Sequence, residues 1–108
     1  DDSLNLAWLA HGAVGVVSVA GHVVGDQLRT LVDSVKAGDL ETARKTYARM
    51  LPAIDAIMGV PNYGATTAKA ALELSGVIDN RYVRGPLVPL DDAEVAALRS
   101  GLEAAGLL

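Results

Sequence analysis

The side chains of this sequence that could do chemistry are few. Lys69 sits in the alanine-rich run ATTAKAALEL. To attack a carbonyl its amine would have to be neutral, through desolvation or a cationic neighbour. Four methylenes can instead cover apolar helix surface while the ammonium reaches water, and that structural role is the one expected of it. His11 falls in the last turn of a short helical pattern, where the negative end of the helix dipole favours a protonated ring, so a structural or subunit-contact role follows. Tyr47 lies on an apolar stripe and Tyr63 and Tyr82 lie in turn-like stretches. None of the three has a visible partner for proton transfer. Asp1-Asp2 and Asp91-Asp92 are adjacent carboxylates that helix capping explains. With no cysteine and only two histidines, His11 and His22, the chain cannot build a zinc site unaided. These residues point to no catalytic group, no metal site and no cofactor of their own.

The elements that would position such residues are mostly helical. The chain has 108 residues, 51% hydrophobic and 20% charged, with a formal net charge of -4. That is enough for one packed domain and offers no electrostatic pull toward nucleic acid or an anionic membrane. No apolar run reaches the roughly 18 residues a spanning helix requires, and no signal-peptide order opens the chain. A reducing cytoplasm suits a sequence without cysteine. Asp2-Ser3 before Leu4, Ala7 and Trp8, closed by Gly12, predicts a helix over 3–11. Leu28, Leu31, Val32 and Val35 predict a second over 26–37. Asp39 caps a third, with Leu40, Ala43, Tyr47, Met50, Leu51, Ile54 and Ile57 on one side and a kink expected at Pro52. A fourth runs from Thr66 to Ser75, and VIDNRYVRGPLVPL then reads as an extended surface crossing. Asp91 with Glu94 gives a capping box, and Leu90 with Val95 a hydrophobic staple, for the last helix.

The valine-rich run AVGVVSVAGHVV is the exception, and residues 14–19 read as one buried strand. A lone strand leaves its N–H and C=O groups unpaired on both edges, too costly to bury and too adhesive to expose. Its partners are therefore expected on a further stretch of chain or on another molecule. The fold class expected is mostly α, in the order helix, one strand, four helices, as a portion of a larger fold. The opening Asp1, where a start methionine would stand, is in keeping with that.

DD and LN at residues 1–5, GVVSV at 15–19, AGDL..AR at 37–44, AKAALEL.G at 68–76, PLVPL at 86–90 and the terminal L..AGLL together resemble the carboxyl-terminal third of the dihydrodipicolinate synthase family. Each motif is weak alone, but their order and spacing are specific. The resemblance covers essentially the whole chain, and the GVVSV strand favours this family over N-acetylneuraminate lyase and the keto-deoxy sugar acid aldolases. It implies the end of a (β/α)8 TIM barrel with an appended helical domain. Residues 1–38 would hold the seventh barrel helix, the eighth strand and the closing helix, and residues 39–108 the appended domain. It further implies a class I lyase that joins pyruvate, held as a Schiff base on a lysine, to aspartate semialdehyde in diaminopimelate and lysine biosynthesis. The parent would be cytoplasmic and a homo-oligomer, tetrameric as the family often is. The Schiff-base lysine, the proton relay and the allosteric lysine site would lie upstream of Asp1, leaving these 108 residues inactive alone. Lys69 does not match the Schiff-base position. Val17 matches the aliphatic residue that lines the pyruvate site from the eighth strand, shaping the pocket without reacting. His22 follows the strand's carboxyl end, the face where barrel active sites gather, yet a structural role remains its expectation. A sister pyruvate aldolase fragment or a stand-alone helical interaction module are the alternatives.

Overall fold

The computed structural model describes all residues, 1–108. A single 3-10 turn, Asp2–Leu4, leads into α1 (Asn5–Ala10), followed by α2 (Gly21–Lys36), α3 (Leu40–Met58), α4 (Ala65–Leu74) and α5 (Asp92–Ala104). The five helices are those the periodicity predicts. Gly12 ends α1 at φ +100°, a conformation that L side chains rarely adopt, and the Ala13 N–H closes the turn on the Trp8 carbonyl. The capping box of α5 is present in both directions. Asp91 accepts the Glu94 N–H at 2.8 Å, and the Glu94 carboxylate accepts the Asp91 N–H at 3.0 Å.

Two local expectations are corrected. Residues 14–19 form no strand within this chain: residues 13–18 carry no regular structure. A ladder needs a neighbouring strand, and no other segment of this chain forms one. The second helix begins at Gly21 instead of residue 26, and its first turn is set off by non-helical dihedrals at Val24 (φ -114°, ψ 33°). Pro52 lies inside α3, which is helical on both sides of it. The missing N–H at Pro52 removes one bond from a 19-residue helix whose other turns continue past it.

One continuous core joins the helices. Leu9, Val24, Leu28 and Leu31 from the first half pack in the same cluster as Met50, Ile54, Ile57, Leu98 and Leu102 from the second. The core therefore runs unbroken across Gly38-Asp39. Leu40, placed on the apolar stripe by periodicity, is instead 54% exposed at the start of α3. Where α5 crosses α3 the approach is close: a Cβ added at Gly101 would stand 2.4 Å from the Ala56 Cβ, so only glycine fits. The crossing after α4 is anchored by buried Val83 and Leu90 and held on the outside by two cations. Lys69 Nζ donates to the Tyr82 carbonyl at 2.7 Å, and Arg81 donates to Glu73 at 2.7 Å. No helix is long and apolar enough to cross a membrane.

The cap of α3 carries a pH dependence. Asp39 accepts the Thr42 N–H at 3.0 Å, and that backbone bond, with the Thr42 hydroxyl, holds its carboxyl below the ordinary value of 3.8. A carboxyl whose folded pKa is depressed contributes stability that is complete above its unfolded pKa and is lost as pH falls through the folded one. Acid titration of the chain should therefore weaken the start of α3 below about pH 4, and Asp39→Asn should flatten that part of the profile. Thermal melts of both proteins across this range check the result. Identical acid dependence would remove Asp39 from the account.

Candidate functional site

The site is built around the valine run. Val14 to Ser18 donate no backbone hydrogen bond within the chain, although each has an N–H to give. Their side chains alternate: Val16 and Ser18 are half-buried on the helical side, whereas Val17 is fully exposed and faces away from the helices. Val19, which strict alternation would place with Val17, instead packs against the core because the chain is already turning into α2. An open groove between this segment and α2 is lined by Val16, Ser18, Gly21, Gly25, Arg29 and Val32.

The carboxyl end of the run is fixed by side chains. Asp2 Oδ2 accepts the N–H groups of Val19 at 3.0 Å and Ala20 at 2.9 Å, and Oδ1 accepts from Asn5 Nδ2 at 3.0 Å. Ser18 Oγ accepts the Gly21 N–H at 2.7 Å. Asp1 is a cap, as its sequence position suggests, taking the Ser3 N–H at 2.9 Å. Asp2 is a correction, because it is buried and takes the N–H groups of Val19 and Ala20 instead of capping the turn it begins. The signal that could have found it is the doubling itself, since one aspartate suffices to cap the first turn.

The other candidates are dispersed. The Tyr47 hydroxyl donates to the Ser3 carbonyl, which ties α3 to the first turn and leaves no free phenol for acid-base work. His11 Nδ1 lies 2.7 Å from the Ala7 carbonyl on the exposed end of α1, and His22 is exposed on the first turn of α2. Tyr63 and Tyr82 are 53% and 65% exposed, and Lys69 is occupied by the crossing. No group of three or more His, Cys, Asp or Glu side chains could hold a metal ion. The structure thus brings no nucleophile, base and acid together. What it presents is an aliphatic side chain on an unpaired segment, a surface that can shape a pocket and cannot react.

Comparison with known proteins gives this surface a context. The model of the dihydrodipicolinate synthetase family matches residues 1–105. A 4-hydroxy-tetrahydrodipicolinate synthase of Kineococcus radiotolerans is 50% identical over 107 residues, covering 99% of this chain and 34% of the relative. One from Mycolicibacterium paratuberculosis is 44% identical over 108 residues, covering all of this chain and 35% of the relative. Among solved structures, dihydrodipicolinate synthase of Thermotoga maritima superposes with a TM-score of 0.87 at 33% identity, over all of this chain and 36% of that one. The enzyme of Cyanidioschyzon merolae with lysine bound gives 0.85 at 34% identity, with the same coverage. The chain spans about a third of the length of the curated relatives it matches.

Proposed function

Since the chain belongs to the dihydrodipicolinate synthetase family, we propose that it serves as the closing portion of a barrel lyase that condenses pyruvate with aspartate semialdehyde. In this reading residues 1–38 supply the last strand and flanking helices of the barrel, residues 39–108 form the appended helical domain, and the parent is a cytoplasmic homo-oligomer. The observation that carries it is the valine run. Five successive N–H groups without a partner, beside a side chain turned away from all five helices, are what a barrel strand becomes when its two neighbours are elsewhere. Placed between those neighbours, Val17 lines the pyruvate pocket, near the end of the strand where barrel enzymes assemble their sites. The reacting groups come from other strands.

Division of labour of this kind has a direct test. Treating the 108-residue chain with pyruvate and borohydride should leave its mass unchanged at 11.1 kDa, because in this reading the Schiff-base lysine and the groups that seat the keto acid lie on other strands. The full-length protein under the same treatment should gain one reduced pyruvate adduct and should condense pyruvate with aspartate semialdehyde. A stoichiometric adduct on Lys69, or a full-length protein that forms none, would overturn the reading.

A further inference from the structure

The one strong fixture of the valine run is Asp2, and we infer that it is a positioning residue, a latch that sets the register of this segment and so the placement of Val17. The inference rests on the proposed function for its consequence in catalysis and on the geometry alone for the latch. Asp2 is 4% exposed and has no cationic partner, so its carboxylate is solvated by protein donors only. Burial of an unpaired carboxylate is costly unless such donors replace water. None of those donors is a backbone group of the helix that Asp2 begins. That helix is already served by Asp1, while the Asn5 N–H takes the Asp2 backbone carbonyl. Both bonds of Oδ2 reach 17 and 18 residues along the chain, to Val19 and Ala20.

The position of those two amides matters. They lie immediately after five N–H groups that nothing in the chain restrains. A shift of one residue in a strand exchanges its two faces, so a slip here would turn Val17 toward the helices and Val16 or Ser18 into the pocket. Asp2 pins the segment two residues from Val17, and the Tyr47 hydroxyl on the Ser3 carbonyl ties the latch to α3. Charge-assisted bonds from a carboxylate to backbone N–H groups are roughly twice as strong as neutral ones, so an amide at position 2 keeps the shape of the latch and weakens it.

Amide exchange of the 108-residue chain and kinetics of the full-length protein, each with Asp2→Ala and Asp2→Asn, test this. In Asp2→Ala the Val19 and Ala20 amides should exchange about tenfold faster or more, while those of Ile54 and Leu98 keep the parent rate. In the full-length protein the same change should raise the KM for pyruvate about tenfold, more than it lowers kcat, as displacement of a pocket wall does. Asp2→Asn should recover KM to within about threefold of the parent. Unchanged exchange at Val19 and Ala20, equal loss of protection at Ile54 and Leu98, or parental KM and kcat in Asp2→Ala would each overturn the latch. If Asp2→Ala does not fold, Asp2→Asn decides by itself. Faster exchange confined to Val19 and Ala20 supports the latch, and unchanged or uniform exchange sinks it. A full-length parent that condenses nothing would sink the proposed function, with the exchange result still deciding the latch.

Discussion

Val17→Asp should leave the 108-residue chain folded and stop condensation by the full-length protein. In the chain alone Val17 is fully exposed and touches none of the core, so the substitution should change stability by no more than about 0.5 kcal/mol. In the barrel proposed above, the same position would be desolvated and would face the carboxylate of pyruvate. An unpaired anion there costs several kcal/mol in folding or in substrate binding. A loss of about 3 kcal/mol is already more than a hundredfold in kcat/KM. Val17→Ile adds one methylene to an aliphatic wall and should retain activity, with a penalty under about 1.5 kcal/mol. Thermal melts of the short chain and steady-state turnover of the long one provide the two readouts. An aspartate variant that condenses pyruvate with aspartate semialdehyde at the parent rate would take Val17 out of the pocket. One that unfolds the short chain would mean the segment is packed as the structure does not have it.

Leu31→Ala is the substitution with the largest expected effect on folding. Leu31 is fully buried on α2 and belongs to the cluster that holds Met50, Ile54 and Leu98. Truncation of a core leucine costs about 2–5 kcal/mol, from lost transfer energy and the cavity left behind. For a single domain with about 5–15 kcal/mol in total, that is enough to populate the unfolded state. Because the core crosses Gly38-Asp39 without a break, protection should fall together in α2, α3 and α5. Urea titration gives the magnitude, and residue-resolved hydrogen exchange gives the distribution. If residues 39–108 kept the parent's protection while α2 alone lost it, the appended helices would be a separate cooperative unit with α2 only resting on them.

Much of this was legible from local pattern because the deciding forces are local. Asp91 and Glu94 cap α5 in both directions since the two side chains and the two backbone N–H groups lie within one turn. Gly12 ends α1 because only glycine takes its positive φ at no cost. The stripe of Ala43, Met50, Ile54 and Ile57 faces the core as a 3.6-residue period requires. Lys69 on a helix surface was legible too, but not its hydrogen bond to a carbonyl 13 residues on.

The sequence by itself determined the five helices, most of their caps, and the resemblance that leads to the family. Each is written in side chains a few residues apart or in the order of short motifs. Only the tertiary structure decided the fate of the valine run and the role of Asp2. Hydrophobic content says that residues 14–19 want burial, but whether a segment becomes a strand depends on a neighbour's backbone, and this chain offers none. An aspartate before a helix reads as its cap, but which N–H groups a carboxylate takes depends on what folding brings beside it. Here folding brings Val19 and Ala20, so the side chain at the head of α1 holds the far end of the segment instead.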